Sequence, residues 1–190
     1  MVGPSKDYND ALLAHELSHI ILNSKGFNPL FGLKSGQGAE SETALILIAR
    51  QIGPDCFPDE LIDRETVKRG FKPSLLLERQ MHLTEQGLIP YEIGEFESSS
   101  DLNKTFVAVT LFCIGKRVPI HTMRRFERRV ETKYGATIMG RDRKMSRQFQ
   151  DQRCHIGDPK GCFNLILKLR DAAGMHDFIS FQNPTTGQTE

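Results

Sequence analysis

The sequence predicts a mainly helical fold with little sheet, built as one compact domain. Apolar residues recur at spacings of three and four along most of the chain, which is the period of a helix with one buried face. Glycine or proline ends most of these segments, and only the stretch around residues 176–181 alternates as a strand does. A chain of 190 residues is long enough for one such domain with a substantial core.

Composition narrows the class of protein. The chain has 25 basic and 24 acidic residues, so no strong net field marks it as a nucleic-acid or membrane binder. No run of about eighteen apolar residues predicts a transmembrane helix, and the first ten residues lack the apolar core of a signal peptide. The four cysteines (Cys56, Cys113, Cys154 and Cys162) lack metal-site or framework spacing, which favours reduced thiols and a cytoplasmic protein.

The first helix is expected to begin near Tyr8, with Asp7 or Asp10 as its cap, and to end at Gly26. It contains His15-Glu16-Leu17-Ser18-His19, the H-E-x-x-H pattern of zinc metalloproteases. Positions i and i+4 lie on one helix face, so the two imidazoles can reach one metal ion. The alternative is a pair of helix-flank histidines satisfied by water or backbone. An apolar stripe is predicted beside the histidines, formed by Leu13, Leu17, Ile20 and Ile21.

A second, buried helix is predicted over Ala39–Ile52, ended by Gly53-Pro54. A catalytic zinc site takes three protein ligands and keeps one position open, and two histidines with a glutamate are a known set. Glu40 and Glu42, at the start of this helix, are candidates for the third ligand. Glu42 is favoured because it lies inside the helix, and Glu40 remains an alternative. Alternatively, both carboxylates only stabilise the N-terminus of the helix by their interaction with its dipole.

The segment H-E-L-S-H-I-I-L-N-S-K-G-F, followed by a short loop and a Glu-rich helix containing A-L-I-L-I-A, resembles the gluzincin peptidases. It is most similar to the ImmA/IrrE-type metallopeptidases, over residues 12–52. The resemblance implies a zinc-dependent, usually cytoplasmic protease that often cleaves a repressor partner. Since zincins usually place a β-sheet before the active-site helix and the pattern here is mainly helical, the expected fold is a reduced zincin-like helical domain. It implies that His15 and His19 bind Zn²⁺, that Glu16 is the general base and that Glu42 is the third ligand.

The rest of the first half is less regular. We expect a short helix over residues 59–69 and a clear one from Pro73 to Gly87, which contains His82. Residues 89–100 are an acidic stretch and the best candidate boundary. The predicted organisation is therefore a metal-binding helical region (1–88), an acidic linker (89–100), a second helical region (101–183) and a disordered tail (184–190).

The second half is predicted to be helical as well. Residues 101–114 are apolar throughout, which suits a buried helix or a strand, and their length favours the helix. A helix from Pro119 to Gly135 has apolar residues at helical spacing, and Asn164 is expected to cap a further helix ending at Ala173.

Basic residues concentrate in residues 124–147. Five are predicted on the helix that ends at Gly135 and four in a following loop: Arg124, Arg125, Arg128, Arg129 and Lys133, then Arg141, Arg143, Lys144 and Arg147. The simpler interpretation is a solvated face, softened by Glu127, Glu131 and Asp142. The alternative is a patch that contacts nucleic-acid phosphates.

Together these features predict a zinc-dependent metallopeptidase acting on a protein or peptide, with Glu16 taking a proton from a zinc-activated water. No oxyanion donor is assigned by spacing, although His82, Tyr91, His121 and Arg50 are candidates. A catalytically inactive, partner-binding zincin relative, a nucleic-acid-associated regulator and a small-molecule amidase are the rival interpretations.

Overall fold

The computed structural model describes residues 6–27, 29–34, 39–53, 56–71, 101–115, 120–152 and 157–190. This part of the chain contains seven helices and one two-stranded sheet, which confirms the mainly helical fold. The elements are α1 (Lys6–Ser24), β1 (Leu30–Leu33), α2 (Ala39–Ile52), α3 (Cys56–Lys68), α4 (Asp101–Gly115), α5 (Ile120–Tyr134), α6 (Thr137–Gln152), α7 (Pro159–Ala172) and β2 (Ile179–Gln182). The helix predicted over residues 73–87, with His82, and the predicted linker over 89–100 lie outside the described residues.

The predicted buried helix, α2, lies at the centre of the molecule. Most of its apolar residues after Glu42 are buried, including Leu45 and Ile48, although Ile46 is 40% exposed; the helix packs against α3, α4, α7 and β1. A helix that contacts neighbours on several sides has apolar residues around most of its circumference, which is the pattern of this segment. It ends at Ile52, directly before the predicted Gly53-Pro54 stop.

Residues 101–115 form a helix rather than a strand. α4 is covered by α2 on one side and α6 on another, so its buried residues run without a clear period from Thr105 to Phe112. Its two buried hydroxyls are satisfied locally and across the helix pair. Thr105 donates to the carbonyl of Asp101 at 2.9 Å, and Thr110 donates to the Gln51 side-chain oxygen at 3.0 Å.

The prediction that Arg141, Arg143, Lys144 and Arg147 lie in a loop is wrong. α5 ends at Tyr134, Gly135 takes a left-handed conformation with φ of +91°, and α6 begins two residues later at Thr137. The many charged residues of α6 make its helical period hard to recognise in the sequence. Its buried side chains nevertheless recur at three- and four-residue spacing: Ile138, Asp142, Met145 and Phe149.

The C-terminal helix starts earlier than predicted. α7 is capped by Asp158, whose carboxylate accepts the backbone N–H of Gly161 at 2.8 Å, and Pro159 occupies its first position. Asn164 is therefore inside the helix and does not cap it. The predicted strand is present as β2, and it pairs antiparallel with β1, where the sequence predicts only a short loop; Phe31 lies opposite Phe181.

Residues 184–190 are not a disordered tail. The Asn183 side chain accepts the backbone N–H groups of Thr185 and Thr186, which makes a tight turn, and the chain then returns alongside β2. Phe181 and Glu190 exchange two backbone hydrogen bonds of 2.9 Å, and the buried Arg170 guanidinium donates to the Glu190 oxygen at 2.8 Å. Polar composition suggested disorder, but these long-range partners order the segment.

One hydrophobic core joins the two halves of the chain. It runs from Leu22 and Phe27 after the first helix to Ile179 and Phe181 in β2, through the inner faces of α2, α4, α6 and α7. α1 lies at the edge of this core and packs chiefly against α3. None of the helices in the described part of the chain combines the length and apolar character needed to cross a bilayer.

Candidate metal centre

The H-E-x-x-H segment lies in the middle of α1. The helix is held to the molecule by a narrow buried strip that includes Ala11, Ser18 and Leu22. It ends at Ser24, and the predicted terminating glycine, Gly26, follows with φ of +79°, while the backbone N–H of Phe27 returns to the carbonyl of Leu22. Residues next to the buried strip are therefore held in place while still being reachable from solvent.

His15 and His19 occupy that position and are both half-buried. Their Nε2 atoms lie 3.1 Å apart, with ring centroids at 4.7 Å and an interplanar angle of 79°. A tetrahedral zinc ion with Zn–N bonds of about 2.0–2.1 Å places two nitrogen ligands about 3.3–3.4 Å apart. The observed separation differs from this by only a few tenths of an ångström, so the two imidazoles fit two ligand positions on one ion. A hydrogen bond between the two rings accounts for the same distance.

Glu16 follows His15 directly and is exposed. The 100° step of an α-helix turns it away from the buried strip, on the solvent side of the histidine pair. A carboxylate in this position is open to water and substrate and is not enclosed by the core. It suits a group that exchanges protons more than one that is buried as a ligand.

The candidates for the third zinc ligand are the two glutamates at the start of α2. Glu42 lies near the start of α2 and its side chain is exposed, whereas the side chain of Glu40 lies outside the described residues. Among the residues that the structure describes, no three His, Cys, Asp or Glu side chains lie together in a group that could hold a metal ion. The structure thus brings His15 and His19 together, and the assignment of Glu42 or Glu40 stays a prediction.

The four apolar residues predicted to form a stripe beside the histidines face solvent, and the 100° helical step places them on the side of α1 away from the two imidazoles. Its members are between 41% and 64% exposed: Leu13, Leu17, Ile20 and Ile21. Part of it lines a cleft of about 360 Å³, closed on its other side by Arg69 and Phe71 after α3. This cleft borders the opposite edge of the buried strip from the histidines. Periodicity alone could predict the stripe but not which side of the helix α3 would cover.

The candidate oxyanion donors are distributed over the chain. Arg50 in the last turn of α2 and His121 in the first turn of α5 are both exposed, while His82 and Tyr91 lie outside the described residues. Among the described residues, the ionisable group with a strongly shifted pKa lies outside this site. It is Asp142 of α6, whose pKa is raised to about 7, first by burial and then by the charge of Glu127, against an opposing effect of Arg143.

Comparison with known proteins adds no relative to this description. No protein-family model, no curated protein and no solved structure matches the chain.

Proposed function

We propose that this protein is a zinc-dependent metallopeptidase. The observation that supports this most is the convergence of the His15 and His19 Nε2 atoms to 3.1 Å, with an exposed glutamate directly after the first histidine. Metal-binding histidine pairs on one helix need this spacing and this direction of both rings. The resemblance of residues 12–52 to the ImmA/IrrE-type metallopeptidases points to the same chemistry.

In the proposed reaction, His15 and His19 hold the zinc ion through Nε2, and Glu42 or Glu40 completes the ligand set. Zinc, when bound, polarises the scissile carbonyl and lowers the pKa of water towards 7. The Glu16 carboxylate accepts a proton from the attacking water and then delivers it to the nitrogen of the leaving amine. The exposed position of Glu16 suits this exchange, because the proton donor and the leaving group must both reach it.

The substrate is a peptide or protein, and the site of action is the cytoplasm. Among the described residues Glu16 of the motif is exposed and both histidines are only half-buried, which suits access by an extended peptide. A cytoplasmic location agrees with a sequence whose four cysteines lack the spacing of a disulfide framework. The proposal includes no membrane partner.

The first test is zinc binding by the purified chain. Metal analysis after dialysis should find about one zinc per chain. His15→Ala and His19→Ala should each lower that zinc content severely, because each removes one of the three proposed protein ligands. His176→Ala changes an exposed histidine far along the chain and serves as the matched control. Glu42→Gln and Glu40→Gln, measured in the same way, identify the third ligand as the variant that loses metal.

The second test separates an enzyme from a partner-binding relative. Glu16→Gln should keep its zinc and lose cleavage of fluorescent casein and of a mixed peptide library, by about 100-fold or more if it is the general base. Zinc binding by the natural chain with no cleavage, unchanged by Glu16→Gln, would favour the inactive relative. A chain that remains metal-free in excess zinc would refute the proposal.

A further inference from the structure

The strongest charged feature outside the metal centre is the solvent face of α5. Met123, Phe126 and Val130 form its buried face. The 100° step per residue places Arg124, Arg128, Arg125 and Arg129 on one continuous arc on the opposite side, with His121 inside the arc. The two glutamates of the helix, Glu127 and Glu131, lie together between this arc and the buried face. The four arginines therefore fill the arc over the six residues from Arg124 to Arg129, somewhat less than two helical turns.

Two other arginines of this protein have evident structural partners. Arg141 makes a two-pronged ion pair with the Asp101 carboxylate, at 2.7 and 2.8 Å, and also bonds Thr105. The buried Arg170 pairs with Asp171 at 2.9 Å. Within the described residues, no ion pair joins Arg124, Arg125 or Arg128 to a carboxylate. These three guanidinium groups repel one another along the helix, so their position costs stability and suggests an external anion.

Charge is also unevenly distributed along the chain. Residues 120–152, which cover α5 and α6, contain nine basic and four acidic residues, whereas the remaining residues contain sixteen basic and twenty acidic. The near-neutral total therefore conceals a basic helical hairpin on an otherwise acidic protein. A segregated field of this kind draws polyanions to one region and repels them from the rest.

The second helix of the hairpin continues the pattern. Arg143, Lys144 and Arg147 are exposed on α6, on the side opposite its buried residues Ile138, Met145 and Phe149. A turn of only two residues, Gly135 and Ala136, joins the helices, which contact each other. Seven exposed cationic side chains thus belong to one compact supersecondary unit.

We propose that the α5–α6 hairpin binds the phosphate backbone of nucleic acid through the solvent face of α5, without reading sequence. Arginine predominates on this face, and its planar fork matches the two oxygens of a phosphate better than lysine does. Among the residues of α5 whose burial the structure describes, this face carries no Phe, Tyr or Trp to stack on bases and no exposed apolar anchor to enter a membrane, which favours duplex backbone contact. This binding is independent of the metal centre.

The test is fluorescence anisotropy of the full chain with a labelled 20-base-pair duplex, and with single-stranded RNA of equal length, from 50 to 200 mM salt. If about four phosphates are neutralised, the affinity should fall about 150-fold across this range, corresponding to a logarithmic slope near −3.6. Arg124→Glu, Arg125→Glu and Arg128→Glu combined should weaken binding at least 30-fold at 50 mM salt and reduce the slope to about −1.

The matched control reverses three exposed lysines elsewhere: Lys25→Glu, Lys160→Glu and Lys168→Glu. It changes the net charge equally and should retain binding within a few-fold. The neutral set Arg124→Gln, Arg125→Gln and Arg128→Gln covers the case in which charge reversal impairs folding, and circular dichroism checks both. Equal losses in the arginine and lysine sets would overturn the proposal. So would a salt-independent affinity, or tighter binding of polyglutamate or anionic phosphatidylglycerol vesicles than of duplex.

Discussion

Asp142 links the stability of this protein to pH. The residue lies on the buried face of α6 and is only 7% exposed. Burial and, to a lesser extent, the neighbouring charge of Glu127 raise its pKa from 3.8 to about 7, against an opposing effect of Arg143. The folded protein therefore binds this proton much more tightly than the unfolded chain does.

The sign and size of the effect follow from that difference. Stability from the protonated carboxyl is fully present below the unfolded pKa, near pH 4, and is lost as pH rises through about 7. One pKa unit corresponds to about 1.4 kcal/mol. Between pH 5 and pH 8 about two units are titrated, so Asp142 should lower the free energy of unfolding by about 2.5 kcal/mol across this window. Asp142→Asn has a similar shape and cannot ionise, so it should not incur this loss.

The assay is urea unfolding of both proteins at pH 5, 6, 7 and 8, followed by circular dichroism. The difference between the variant and the natural chain should change by about 2.5 kcal/mol in favour of the variant as pH rises, with most of the change between pH 5 and 7. Asp177→Asn, at an exposed site, is the control and should leave the pH profile unchanged. Parallel profiles for Asp142→Asn and the natural chain would refute the reasoning.

Three further predictions concern packing, a buried cation and the metal. Gly53→Ala should destabilise the protein by about 1–3 kcal/mol, because its Cβ would meet the Phe181 ring at 2.7 Å. Gly140→Ala, with nothing within 4 Å, should stabilise α6 by about 0.5–1 kcal/mol; urea unfolding compares the two. Arg170→Met should lower stability by about 2–3 kcal/mol and free the Glu190 end, which hydrogen exchange of Phe181 would detect. Zinc at 100 times its dissociation constant should raise the melting temperature by about 5–10 °C, reversibly with chelator, and an unchanged melting temperature would count against a native zinc site.

The features that were predicted correctly from the sequence are local ones. The ends of α1 and α5 follow from Gly26 and Gly135, which adopt positive φ, and the end of α2 follows from the stop after Ile52. The His15–His19 juxtaposition is local too, because four residues of helix bring the two rings together whatever the rest of the chain does. Capping residues and hydrophobic periodicity are therefore sufficient to predict these elements from the sequence.

The errors share a different cause. β1 is four residues long and exists because β2, about 150 residues away, pairs with it. Residues 183–190 are ordered by Arg170 and Phe181, which their own polar composition does not reveal. The sequence does not indicate α6 because one of its buried positions is Asp142, which interrupts the apolar stripe. In each case the deciding contact comes from outside the segment.

The same distinction applies to the proposed metal centre. The two histidines are fixed by α1 alone, so their geometry is available from sequence and is present in the structure. A third ligand must come from another element, and its position depends on how α1, which packs chiefly on α3, stands relative to the start of α2. That packing is achieved through a narrow strip at Ala11, Ser18 and Leu22, while the apolar side chains of Leu13 and Ile20 remain exposed. A zinc ion bridging α1 to a second element would add an attachment at this weakly held edge, so metal binding should protect α1 amides from hydrogen exchange far more than those of α4.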